Sequence, residues 1–175
     1  MTKKYEFTGK TKTYLGKTLH QIVCVNAFAA VSVGDVGGWI ESEKNLSHDG
    51  SAWVRGNGVV CGNGIVCGNG IVRDSGMVCD SGIVRGNGKV HGNGVVCGNG
   101  EMCKTEVFTI STNHHHVTIT ETHATIGCLN HPHDFWLSAT KSTIEKIGEH
   151  ASADLWDKYG PFIKNLIMEK QLENN

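Results

Sequence analysis

Residues 54–100 read VRGNGVVCGNGIVCGNGIVRDSGMVCDSGIVRGNGKVHGNGVVCGNG, and the rhythm of this stretch decides the fold. Cut into sixes from Val54, it gives VRGNGV, VCGNGI, VCGNGI, VRDSGM, VCDSGI, VRGNGK, VHGNGV and VCGNGE, with MCKTEV following. Val opens eight consecutive hexads and Met opens the ninth. A period of six is neither helical nor a simple hairpin alternation; it marks a parallel β-helix in which each hexad is one short strand and one corner. The aliphatic first position and the small fifth position point inward and stack on their equivalents one coil away. Gly and Asn at the corner tolerate the positive φ of a tight bend.

The same register extends upstream through HDGSAW, SEKNLS and VGGWIE, whose fifth positions are Ala52, Leu46 and Ile40. Their first positions are Val36, Ser42 and His48, so this coil is expected to exchange large and small inward residues. Twelve hexads then run from Val36 to Val107. Three hexads per coil make a triangular prism. This grouping puts Arg55, Arg73 and His91 on one outward column, Cys61, Cys79 and Cys97 on a second, and Cys67, Arg85 and Cys103 on a third. Four coils at a strand spacing of about 4.8 Å give a prism roughly 15–20 Å tall.

A solenoid exposes backbone edges at both ends unless something covers them. Residues 1–35 supply short strands around YEFTG and QIVCVNAFAAVSV as an N-terminal cap to the 36–107 repeat. Residues 108–175 form a C-terminal α+β unit, with two or three antiparallel strands in FTIST and VTITETHATIGC, then helices from Pro132 onward. Pro132 suits a first helical position, and Ser142-Thr143-Ile144-Glu145 fits a capping box. Leu155, Tyr159, Phe162, Ile163, Leu166 and Ile167 make an apolar stripe, with a kink or break expected at Gly160-Pro161. The fold class is thus mainly β, a parallel β-helix of hexapeptide repeats with a strand cap and a small α+β cap.

Charge is balanced, with 16 basic against 17 acidic residues, so no nucleic-acid partner is expected. No apolar run reaches a membrane span, the first ten residues lack a secretory h-region, and the chain is expected in the cytoplasm. Seven cysteines (Cys24, Cys61, Cys67, Cys79, Cys97, Cys103, Cys128) in that compartment are expected as free thiols. The candidate metal ligands are His123, Cys128, His131 and His133 in THATIGCLNHPHDFW, a mixed thiolate and imidazole set suited to a structural Zn²⁺ in a unit poor in large apolar side chains. The Cys61/Cys79/Cys97 ladder is expected to lie under another subunit or the C-terminal unit, and His114-His115-His116 to sit in a turn.

YEFTGKTKTYLGKTLHQI, GDVGGWIESEKNLSHDGSAWV and THATIGCLNHPHDFW resemble a family of phage and prophage hexapeptide-repeat, polymer-forming-like proteins. The resemblance covers most of the chain, with Gly37–Glu43 its most specific block. Where those relatives carry Tyr at position two and Ala at position five, this chain has Cys, Arg or His and Gly. The resemblance implies a left-handed helix, a phage origin and hence the host cytoplasm. The function expected is non-enzymatic: a structural or interaction protein, a homo-oligomer with a trimer favoured, binding a host or phage protein, with interference in host defence one role. The alternatives are a hexapeptide-repeat acyltransferase, for which His91 and His48 are the only in-repeat bases, and a small-molecule or nucleotide sponge.

Overall fold

The computed structural model describes residues 2–98, 100–102, 108–111, 116–126, 129–147 and 150–173. The chain opens with three longer strands, β1 (Tyr5–Tyr14), β2 (Lys17–Cys24) and β3 (Val36–Ile40). Two-residue strands follow: β4 (Trp53–Val54), β5 (Val59–Val60), β6 (Ile65–Val66), β7 (Ile71–Val72), β8 (Met77–Val78), β9 (Ile83–Val84), β10 (Lys89–Val90), β11 (Val95–Val96) and β12 (Glu101–Met102). They stack in parallel as three columns, β5-β8-β11, β4-β7-β10 and β6-β9-β12, with partners 18 residues apart. The result is a β-solenoid of about three turns. Residues 103–107, which would continue a fourth coil, lie outside the described residues.

Val54, Val60, Val66, Val72, Val78, Val84, Val90 and Val96 are all 0% exposed and form the axis of one continuous core. Each fully buried valine contributes about 1.5–2 kcal/mol relative to an exposed one. The fifth-position glycines are required by sterics. A Cβ on Gly82 would stand 2.4 Å from the Val96 carbonyl oxygen, and one on Gly70 would stand 2.8 Å from that of Val84. Among the described residues of the repeat, positive φ falls on position three, including Asp74 at +59° and Asp80 at +52°, where the repeat reads DSG instead of GNG.

Upstream of Val54 the expected register is wrong. Ile40 lies beside Val60 and Leu46 beside Val66, partners 20 residues apart, so both occupy the first position and not the fifth. The corner between Leu46 and Ala52 holds two extra residues, and counting back in sixes assumes uniform corners. Val36 is accordingly exposed, and His48 sits in that longer corner. Ala52 keeps its fifth position, since Trp53 again pairs with Ile71.

Both ends of the solenoid are closed by the chain itself. At the first turn β1 pairs antiparallel with β2, and β2 with β3, so the hairpin prolongs one face. Tyr5 donates its hydroxyl to the Leu46 carbonyl at 2.8 Å and stacks on His48 with centroids 4.3 Å apart. The buried Lys4 ammonium donates to the Ala52 carbonyl at 2.8 Å and lies 4.8 Å over the Phe28 ring. At the last turn a four-stranded antiparallel meander takes over: β13 (Phe108–Ser111), β14 (His116–Ile119), β15 (His123–Ile126) and β16 (Leu129–Pro132). It satisfies the open backbone edge of the last coil. Val95 N donates to Thr118 Oγ1 at 3.2 Å, Glu101 N to Thr122 Oγ1 at 3.3 Å, and Asn130 Nδ2 to the Cys97 carbonyl at 2.9 Å.

Helices α1 (His133–Ser138), α2 (Lys141–Lys146) and α3 (His150–Glu173) complete the chain. The capping box lies two residues earlier than expected: Thr140, not Ser142, is the cap, and its hydroxyl accepts from Thr143 N at 3.2 Å. Helix α3 runs through Gly160-Pro161 without a break. Its buried face is Ala153, Trp156, Gly160, Ile163, Ile167 and Lys170, whereas Tyr159 and Phe162 are exposed. Gly160 lies where a Cβ would meet the Trp156 indole at 3.1 Å. The unit has its own core around Trp136, whose Nε1 donates to the Ala124 carbonyl at 2.7 Å and whose ring lies 5.3 Å from that of Trp156. Two buried indoles supply the apolar mass that the sequence suggested was lacking. No helix among the described residues is long and apolar enough to cross a membrane.

Candidate functional site

Stacking at 18-residue intervals brings Cys61, Cys79 and Cys97 into one column, each directly after a strand of the β5-β8-β11 sheet. Position two points away from the axis, yet Cys61 is buried and Cys79 and Cys97 are half-buried. The cover comes from both chain ends. Leu19 and Tyr14 of the hairpin pack with Val59, Cys61, Met77 and Cys79. The hairpin is anchored there by Lys17 Nζ donating to Glu41 Oε2 at 3.0 Å, and Glu41 also accepts from Gly62 N at 2.6 Å. At the other end Cys97 Sγ lies 3.7 Å from Thr125 Oγ1, which in turn donates to Asn130 Oδ1 at 3.0 Å. The cysteine column is therefore an intramolecular seam under the C-terminal unit, as expected, and equally under the N-terminal hairpin.

Within that seam the Cys79 and Cys97 sulfurs lie within 4.8 Å of each other. Donation from Cys79 lowers the Cys97 thiol to about 7, helped by the Thr125 hydroxyl and opposed by burial. The same hydrogen bond, together with burial, pushes Cys79 up. Once one thiolate has formed, its charge opposes formation of the second. Burial, opposed by Lys17 and aided by the Glu41 and Asp80 carboxylates, raises the Cys61 thiol. Asp80, turned by its left-handed backbone, adds a carboxylate, and its oxygen and the two sulfurs lie within 4.8 Å of one another. Cys79, Asp80 and Cys97 could hold a metal ion, and no other group of three such ligands is found among the described residues.

The expected His123, Cys128, His131 and His133 set is placed only in part, because Cys128 lies outside the described residues. His123 opens β15, opposite Pro132, and His131 lies in β16 opposite Ala124, one step along the ladder. His131 stacks on Phe135 with centroids 4.0 Å apart. His133 is buried at the start of α1, with Nε2 3.1 Å from the Thr120 carbonyl. Burial lowers all three imidazoles, and the neighbouring His131 lowers His123 further. His131 is thus engaged in ring packing, His133 with a backbone carbonyl, and His123 Nδ1 with the Thr122 hydroxyl at 2.9 Å. His114 and His115 also lie outside the described residues.

No protein-family model matches this chain, and no curated protein matches it. Its chemistry is therefore read from the three faces. The outward residues of the first sheet, Val59 and Met77, lie under the hairpin. On the second, Trp53 is covered by Phe28, whose ring is 5.5 Å away, and a groove of about 240 Å³ runs beside Ala30, Arg55, Asn69, Asn87 and Lys89. The third face, β6-β9-β12, presents Ile65 beside Ile83 and then Glu101. Ile65 is 40% exposed, and Arg85 pairs with Glu101 at the rim. This face thus carries an aliphatic pair with a charged border. The sequence carried that signal at the sixth position of the hexads, which the outward reading of position two passed over.

Proposed function

We propose that this protein is a non-enzymatic interaction protein that associates through the β6-β9-β12 face of a left-handed solenoid. The observation that carries the reading is the contrast between faces. The first face lies under the chain's own hairpin and Trp53 of the second under Phe28, while Ile65 of the third remains open with the half-buried Ile83 beside it. Flat faces of a triangular prism pack naturally around a threefold axis, so a homotrimer is the assembly proposed. The capped ends argue against end-to-end stacking, since the first and last turns find hydrogen-bond partners within the chain. A phage-type origin, a host or phage protein as partner, and action in the host cytoplasm belong to the same proposal. So does a structural Zn²⁺ on His123, Cys128, His131 and His133.

Light scattering on the purified protein at micromolar concentration tests the assembly. Three chains per particle are expected, falling to one with Ile65→Lys. A monomeric native protein would overturn it. A small-molecule reading is the second choice, favoured by the groove beside Arg55 and Lys89, whose cationic rim suits an anionic ligand.

A further inference from the structure

We infer that Cys79, Asp80 and Cys97 form a Zn²⁺ site that clips the last described turn of the solenoid to the one before it. The site is independent of how the protein assembles. Cys79 and Asp80 leave the β8 turn together, while Cys97 leaves β11 directly above, so one ion would join two coils whose strands are held by short parallel ladders of two residues. The donor set is two sulfurs and one carboxylate oxygen within 4.8 Å of one another. Zn²⁺ accepts both ligand types in tetrahedral geometry, and at a Zn–S distance of about 2.3 Å neighbouring sulfurs sit about 3.8 Å apart. Cu⁺ would take the thiolates but has no use for the hard carboxylate, which is what favours zinc.

The surroundings fit a metal clip as well. The two sulfurs and the carboxylate oxygen already converge on one point between the coils. Binding releases both thiol protons to solvent, leaving two thiolates and one carboxylate around the cation. Thr125 and Asn130 shield the Cys97 side, and Asp80 is solvent-exposed, so the fourth tetrahedral position faces water. Asp80 also explains a departure in the repeat. At +52° it adopts a backbone conformation that glycine takes at most equivalent corners, and a carboxylate beside Cys79 gives that substitution a role.

The experiment combines native mass spectrometry with thiol footprinting. Protein is reduced, freed of metal and titrated with ZnCl₂, then alkylated with and without the ion. One Zn²⁺ per chain is expected, with Cys79 and Cys97 protected together and the half-buried Cys67 still reactive. The Cys79→Ser/Cys97→Ser double variant should bind at least about 100-fold more weakly, and Asp80→Asn about 10-fold more weakly. Asn keeps the left-handed corner, so that variant separates ligation from folding. Footprinting of the native chain requires no variant. Equal alkylation of Cys79 and Cys97 with and without zinc overturns the site. So does an ion retained at full affinity by the double variant, which would place it on the His123, Cys128, His131 and His133 set.

Discussion

The side-chain amide of Asn45 donates to the Gly64 carbonyl at 2.9 Å, in the place a backbone N–H holds elsewhere in the solenoid. At equivalent positions Trp53 N donates to Gly70 O and Val59 N to Gly76 O, both at 3.0 Å. Asn45 lies in the 3-10 turn Glu43–Asn45, where the backbone has left the ladder, and its side chain completes the missing rung. It also donates to the Gly62 carbonyl and accepts from Ser42 N.

Asn45 is fully buried, so replacing it strands carbonyls that water cannot reach. Asn45→Ala should cost about 2 kcal/mol, and Asn45→Asp more, because a carboxylate oxygen would face those carbonyls. The solvent-exposed Asn69–Asn87 pair is the control: Asn69→Ala should stay within about 0.5 kcal/mol. Urea unfolding of the three variants measures both.

The two kinds of glycine in the repeat separate under substitution. Gly82→Ala drives a Cβ against the Val96 backbone and should cost about 2–3 kcal/mol. Gly92, at φ +58°, has open space around it, so Gly92→Ala should cost only the backbone strain, about 1 kcal/mol. Comparable thermal shifts for the two would contradict the stacked-carbonyl explanation of position five.

The cap of α2 is a third test. Thr140→Ala removes the hydroxyl that accepts from Thr143 N and should destabilise by about 1 kcal/mol. Ser142→Ala, at the residue where the sequence placed the cap, should change stability by less than about 0.5 kcal/mol. The reverse order would restore the sequence-based assignment.

Acid should weaken the fold before it reaches ordinary carboxylates. His48, His123, His131 and His133 are all lowered, chiefly by burial, so below about pH 6.5 the unfolded chain binds protons that the folded chain refuses. Stability is therefore full above that pH and declines as pH falls through it. Glu41 and Glu43, lowered by bonds from Gly62 N and Lys3 respectively, extend the decline below their usual range. His133→Gln, which keeps a donor toward the Thr120 carbonyl, should flatten the slope between pH 7 and about 5.5 in urea titrations. An unchanged slope would contradict a buried, neutral His133.

The hexad rhythm from Val54 onward determined the solenoid, its inward valines and its 18-residue coil, because a filled axis demands an aliphatic side chain at a fixed interval. Such regularity is local, and a sequence displays it directly. What the rhythm could not convey is where it is interrupted. The two extra residues of the Leu46–Ala52 corner shift Ile40 and Leu46 into the first position, and nothing in the spelling of HDG marks an insertion. The uninterrupted α3 likewise carries Trp156 and Ile163, on either side of Gly160-Pro161, into the core around Trp136, a packing that helix propensity does not register. The candidate site belongs to the same class. The cysteine column was legible from the period, but its closure depended on distant segments: the hairpin over Cys61, Thr125 beside Cys97 and the turned carboxylate of Asp80. Repetition specified the scaffold because each hexad needs only its neighbours. The seam, the caps and the open third face were decided by chain ends folding back, and only the tertiary structure sets those contacts.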